Sequence, residues 1–320
     1  MSQSILDVVK ECDNFTPSDG PPSHSRVLDK RYAFIVNGYD VTLGYIPRET
    51  FEKIKWSFWW EIDHYRRTVT LMVPITATSE SRSRLVKETL QATRELGAIS
   101  ILENWRDETF PVYGPQGQVL LEIERCASAL FGIVAYNVQL VCYITTEQGL
   151  QVWIGRRSDS EHKPTNSGML NTTVAGGLPS GKLPIEALLW KAQEKASLPK
   201  DTVRSKVQSV GHLTYFHVQS RARGETGLLQ PGVEYLYELE LDASITPRSS
   251  SEVESFTLYT VKEVLHALKA GQFKPNSAIA ITKFLISHRI LNAENEPDYT
   301  EILSHLHREL EFPCVILPYK

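Results

Sequence analysis

At 320 residues with 42% hydrophobic content, the chain is long enough to bury a substantial core, and it fits one large domain or two ordinary ones. A formal net charge of −4 gives no global electrostatic case for nucleic acid or anionic membrane as a partner, so any basic site has to be local. Cys12, Cys126, Cys142 and Cys314 stand far apart with no CxxC pair, which argues against a zinc ribbon or a dense disulfide scaffold and for a reducing compartment.

The first residues, MSQSILDVVKECDNF, mix acids into a short helix and lack the basic start and apolar centre of a signal peptide. No uninterrupted apolar run reaches the roughly 18 residues of a membrane span, so a soluble, cytoplasmic protein is expected. Residues 15–26, FTPSDGPPSHSR, read as a loop. YAFIVNGYDVTLGYI (32–46) alternates around Asn37-Gly38, which predicts a two-stranded hairpin. Residues 48–63, RETFEKIKWSFWWEID, begin with helical spacing and end in an aromatic cluster. Trp56, Phe58, Trp59 and Trp60 there are either core or a ligand-stacking wall, and their large buried area favours core.

Leu85, Val86, Leu90 and Leu96 recur at helical spacing over 78–97 and stop at Gly97, predicting a helix that covers the hairpin. WRDETFPVYGPQGQVLLEIERCASALFG then predicts a Gly-Pro-rich turn and an apolar helix ending near Gly132, where a domain boundary is expected. Beyond it, YNVQLVCYIT and LQVWIGRR predict strands joined by the turn TEQG, and VQSVGHLTYFHV and VEYLYELEL predict two more. Between these pairs lies VAGGLPSGKLPIEALLWKAQEKASLP, a Gly-rich turn running into a helix. VKEVLHALKAG, SAIAITKFLISHRIL and YTEILSHLHREL predict three amphipathic helices. Strands alternating irregularly with helices favour an α+β layered fold over a doubly wound parallel sheet.

GGLPSG followed by an amphipathic helix, with LQVWIGRRSDSEHKPTNSGMLNTTVAGG before it, resembles the Nudix superfamily of diphosphate hydrolases, in particular the eukaryotic branch related to thiamine pyrophosphokinase, which carries an extra amino-terminal domain. GYIPRETFEKI, ENWRDETFPVY, LEIERCASALFG, EVESFTL and FKPNSAIAITKFLISH extend the resemblance over nearly the whole chain. It implies an amino-terminal α+β domain over 1–132, a Nudix-type α/β/α sandwich over 133–290 and a helical extension over 291–320. It also implies a Mg²⁺-dependent hydrolase of an organic diphosphate, of the thiamine diphosphate type.

The superfamily's motif departs sharply here. Counted from Gly177, with the loop one residue shorter as in this branch, Lys182 stands at the early Glu, Trp190 at the Arg and Lys191 at the next Glu. Glu194 and Lys195 stand at the paired Glu, and Ser197 at the closing Gly. Mg²⁺ in such a site neutralises charge on the transferred group through carboxylate and water ligands. A helical face reading Lys191, Glu194, Lys195 places one carboxylate between two ammonium groups and should repel a divalent cation. Lysines bind phosphate as point charges, so Lys182, Lys191 and Lys195 either hold an anionic ligand directly, pair with Glu194 and other acids, or form a solvated charged face.

Other acids are candidates to rebuild a metal site around Glu194. Glu252 and Glu254 stand where the family has an acidic segment before a strand, and Glu186 lies two turns before Glu194. Each also has a structural reading, Glu254 as a loop residue and Glu186 as a first-turn carboxylate facing the helix dipole. Gly176, Gly177 and Gly181 permit a tight turn whose N–H groups could meet an anion. Arg156 and Arg157 either add phosphate contacts or are surface arginines. Asn171 replaces the branch's acid in the lead-in, lowering the local negative charge further. His212 with His217, and His305 with His307, lack zinc spacing, and there is no GxSxG elbow.

Two functions are therefore expected. One is a diverged hydrolase using Glu194 with Glu186, Glu252 or Glu254 around a weakened Mg²⁺ site. The other is the same fold without metal-dependent hydrolysis, binding a small anionic or diphosphate-containing metabolite or catalysing another reaction on it. No nucleic acid or membrane partner is expected in either case.

Overall fold

Alternation in RYAFIV produces β1 (Arg31–Val36), which turns Tyr32, Phe34 and Val36 inward. The chain reverses at Asn37-Gly38, with Gly38 at φ 86°, and β2 (Gly44–Pro47) returns antiparallel to β1 as expected. This computed structural model describes residues 3–15, 31–158, 166–219 and 227–319, so all of the loop expected at 15–26 except Phe15 lies outside them.

The helical start expected of 48–63 forms as one turn, α2 (Arg48–Phe51). WEID instead becomes β3 (Trp60–Asp63), antiparallel to β4 (Thr68–Leu71), and β4 lies parallel to β1. Large aromatics suit a pleated, half-buried surface as well as a helix, and here the strand partner decides. Trp60 is buried, its indole N–H donating to Thr89 Oγ1 at 2.8 Å, and Trp56 and Trp59 pack partly against the same core. Phe58 does not, being 83% exposed.

Over this four-stranded sheet lies α3 (Ser79–Glu95), capped by the Thr78 hydroxyl, which accepts from Ser81 N–H. Its Leu85, Val86 and Leu90 are buried, and Gly97 follows it at φ 64°. The next segment gives a hairpin, β5 (Thr109–Tyr113) and β6 (Val119–Glu124), and then a single helical turn, α4 (Ser128–Phe131). The apolar helix expected here shrinks because LLEIE pairs with TFPVY. Gly132 and Gly44 mark a backbone crossing of α4 and β2. A Cβ on Gly132 would stand 2.4 Å from Tyr45 O, and one on Gly44 would stand 2.3 Å from Phe131 O.

The larger sheet is built on β7 (Ala135–Thr146), with β8 (Gly149–Arg157), the short β9 (Leu170–Asn171) and β10 (Val174–Gly177) arising next in the chain. Then come α5 (Pro184–Ala196), α6 (Lys200–Lys206), β11 (Gln208–Val218), β12 (Leu229–Glu240) and β13 (Val253–Thr260). The strand order is β11-β12-β7-β8-β13, with β10 on β7 and β9 on β8. β7 runs parallel to β12 on one side. On its other side it pairs first with β10 over Asn137–Leu140, then with β8 over Cys142–Thr146. Thr173 Oγ1 fills the wedge where β8 leaves β7, accepting from Cys142 N–H at 2.9 Å and donating to Trp153 O at 2.6 Å.

One face of this sheet is covered by α5 and α6, where Leu188, Ala192 and Ala196 meet Val138, Leu140 and Tyr235. The other face carries α7 (Val261–Lys269), α8 (Pro275–Ser287) and α9 (Tyr299–Leu306), the three helices expected of the tail. The first helix, α1 (Ile5–Cys12), packs with α8 and α9 on that same face. The result is an α+β protein whose main body is an α/β/α sandwich, as expected.

Candidate anion-binding site

The Gly-rich turn before α5 is fastened at nearly every amide. Leu178 N–H donates to Tyr136 O at 2.7 Å, Ser180 N–H to Thr109 O at 2.9 Å, and Lys182 N–H to Pro179 O at 3.3 Å. The Ser180 hydroxyl donates to Glu122 Oε1 at 2.6 Å, so the turn is clamped to the β5–β6 hairpin. Leu183 N–H at the helix start is taken by the Glu186 carboxylate at 3.2 Å. The amides of Leu178, Ser180, Lys182 and Leu183 at the expected anion seat are thus engaged within the protein. Glu186 caps its own helix, and Gly181 and Lys182 are exposed beside it.

On α5 itself the face divides. Lys191 is only 5% exposed, and its stem lies over Gly176, where a Cβ would come within 2.2 Å of Lys191 Cδ. Gly176 thus makes room for the lysine stem. Burial, then the nearby Lys195 and Arg125 charges, lower the Lys191 pKa. Lys195 Nζ donates to Ala175 O at 2.9 Å and pairs with Glu252 at 2.7 Å. Its pKa is lowered by burial against the opposing pull of Glu252. Glu194, between them in sequence, is exposed. Ser197 holds the left-handed conformation, φ 53°, that a closing Gly would adopt without strain.

This donor set does not suit Mg²⁺. The two motif positions that turn inward carry ammonium groups, and the carboxylate between them faces solvent. Glu252 is engaged by Lys195 and lies 3.6 Å from Arg106 Nη1, and Glu254 is exposed. Among the described residues no group of three or more His, Cys, Asp or Glu side chains is placed to hold a metal ion.

Beside α5 opens a cavity of about 320 Å³, bounded by the β5–α4 segment on one side and by β7, β10 and the start of α8 on the other. Of the residues expected to bind ligand, Gly176, Gly177, Lys195 and Arg157 line it, and Glu252 is the candidate acid that does so. Arg157 Nε donates to Asn166 O at 3.1 Å, and burial lowers its pKa. Arg156 instead donates to Gly168 O at 2.7 Å and is not part of the wall.

Sequence reasoning missed three further cations of the cavity: Arg106, Arg125 and Lys274. Among the described residues, Lys274 Nζ has no hydrogen-bond or ion-pair partner, and its pKa is pushed down to about 8 by burial and by the adjacent Arg157, against the opposing pull of Glu234. Also missed was Glu234, fully buried next to the cavity floor. It accepts from Asn137 Nδ2 at 3.1 Å, Gln139 Nε2 at 3.0 Å, Tyr215 OH at 3.0 Å and Asn276 Nδ2 at 2.7 Å. Burial raises its pKa while these donors pull it down. A glutamate inside the apolar run VEYLYELEL, facing the amides of YNVQ, was the available signal: such a group survives burial only with partners.

The protein is thus an α/β/α sandwich bearing a cation-lined cavity against an amino-terminal α+β unit. A family model described as a domain of unknown function, DUF4743, matches residues 4–135. An uncharacterised protein of Saccharomyces cerevisiae is 30% identical over 244 residues, covering 74% of this chain and 70% of its own length. The chloroplastic Nudix hydrolase 20 of Arabidopsis thaliana is 31% identical over 219 residues, 68% of this chain and 55% of its own length. A solved structure from Deinococcus radiodurans aligns over 63% of this chain and 100% of its own, with a TM-score of 0.40 and 20% identity. The chain belongs to the family of the yeast protein, within the Nudix superfamily that includes the plant relative. It spans little more than half of that plant protein. Among the described residues no helix is long and apolar enough to cross a membrane.

Proposed function

We propose that this chain is a diverged Nudix protein that binds the phosphate groups of a small anionic metabolite through lysine and arginine side chains, in place of a carboxylate-held metal. One observation carries the reading: the inward motif positions are Lys191 and Lys195, and the cavity beside them adds Lys274, an ammonium without a partner among the described residues. Such a cation is costly to bury, and the attraction of the nearby Glu234 does not outweigh burial and the neighbouring Arg157, so a bound anion would relieve it. The motif is on this reading a degenerate Nudix box, in the branch related to thiamine pyrophosphokinase. The ligand class is an organic diphosphate, of the thiamine diphosphate type. The same proposal divides the chain at 132 and 290 and places it in the cytoplasm.

A second reading, metal-dependent diphosphate hydrolysis, is favoured by the Glu252 carboxylate on the cavity wall. Thermal unfolding with inorganic pyrophosphate in excess chelator, alongside phosphate release from a diphosphate panel with Mg²⁺, separates the two. Stabilisation in chelator without Mg²⁺-dependent turnover is expected. Turnover that chelator abolishes and that Glu252→Gln or Glu194→Gln removes would establish the second reading instead.

A further inference from the structure

The amino-terminal unit, matched by a family of unknown function, contributes a wall of the same cavity. We propose that this unit is a working half of the ligand site, with Arg125 as the residue through which it grips the ligand's anionic group. The inference rests on the anion-binding reading above and extends it to a part of the chain that the motif does not reach.

Arg125 is held in place from three directions. Its Nη1 pairs with Glu108 Oε2 at 2.8 Å, its guanidinium lies over the Phe110 ring with Cζ 5.7 Å from the centroid, and its backbone N–H donates to Glu108 O at 2.8 Å. Across the cavity boundary it meets Gly177, where a Cβ would stand 3.1 Å from Arg125 Cζ. Glycine at 177 therefore allows the guanidinium to sit against β10. The Ser180 bonds to Thr109 and Glu122 fix the two units to one another at this point. A planar guanidinium with one edge held by a carboxylate keeps further donors for an oxyanion, in a geometry that suits phosphate. Its charge also converges with the others: after burial, neighbouring cations including Arg125 lower the Lys191, Lys195 and Lys274 pKa values. Cations gathered from both units toward one cavity repel each other when it is empty and are relieved by an anion.

The test is isothermal titration of the full chain with inorganic pyrophosphate in chelator, comparing wild type with Arg125→Gln, Glu108→Gln and Lys274→Met, each checked by circular dichroism to be folded and with its melting temperature recorded. Arg125→Gln should weaken binding at least about tenfold, the usual scale for a charge-assisted hydrogen bond. Glu108→Gln removes the same internal ion pair but leaves the guanidinium, so it should bind as well as wild type or more tightly. If Arg125 only braces the interface, both substitutions should lower the melting temperature alike and leave the affinity alone, which would overturn the inference. Loss of binding in Lys274→Met with Arg125→Gln unaffected would overturn it while sparing the anion-binding reading. Failure of wild type to bind, or binding indifferent to both Lys274→Met and Arg125→Gln, would overturn both.

Discussion

The α5 face and the rest of the cavity wall both carry positive charge, but they use it differently. On α5, Lys195 is tied to Glu252 and Ala175 O, and Lys191 is packed over Gly176. Elsewhere on the wall, Lys274 at the start of α8 has no hydrogen-bond or ion-pair partner among the described residues, and Arg125 on the β5–α4 side has one edge committed to Glu108. The first arrangement commits Lys195 to internal bonds and buries the stem of Lys191. The second leaves charge available to a ligand. On the proposed reading, the charge available to a ligand lies on residues that the motif does not contain.

The largest effect on binding is expected at Lys274. Lys274→Met should weaken pyrophosphate binding by about ten- to a hundredfold, as loss of a charged hydrogen-bond donor would, while raising the melting temperature because burial and the adjacent Arg157 outweigh the attraction of Glu234 for this charge. Calorimetry and thermal unfolding on the same variant check both halves, and a fall in stability would break the contrast. Lys195→Met should do the reverse. Removing one partner of a largely buried ion pair, with Ala175 O losing its donor, should cost about 1–3 kcal/mol of stability in denaturant titration. Its effect on affinity should be the smaller of the two.

The pH dependence sharpens the same comparison. Lys274 has its pKa depressed to about 8, so in the free protein its charge is lost as pH rises through that value. An anion binds the protonated form better, so affinity should fall above pH 8, by at most about tenfold per pH unit for one proton. Lys274→Met should flatten this part of the profile. The smallest effect is expected at Glu194, exposed on the outer side of α5. Glu194→Gln should change stability by less than about 0.5 kcal/mol and leave pyrophosphate affinity unaltered.

Much of the fold was legible from periodicity. Strands β7, β8, β11 and β12 and helices α3, α7, α8 and α9 arise where apolar spacing placed them, because each has a buried face long enough to impose its period. The strand at 60–63 was not read and that at 119–124 was read as helix, because short aromatic or aliphatic runs satisfy either period and a distant strand partner decided. β13 is a sheet edge on which Val253 is buried and most other side chains are not, so it carries little pattern. In the site, Lys195 and Gly177 were readable from the motif, as was Arg157 at a strand end. Arg125 and Lys274 were not, since they lie far from it in sequence and only the packing of two units brings them to one cavity. Glu186 shows the converse, a residue at family-like spacing whose carboxylate is consumed by its own helix start.

The central claim, that lysine and arginine charge stands in for a metal here, is tested most directly by the affinity of the intact chain for inorganic pyrophosphate measured twice, in excess chelator and in excess Mg²⁺. The account predicts binding in chelator that Mg²⁺ leaves unchanged or weakens by competing for the anion. Binding that appears only with Mg²⁺, and that Glu194→Gln or Glu252→Gln abolishes, would contradict it.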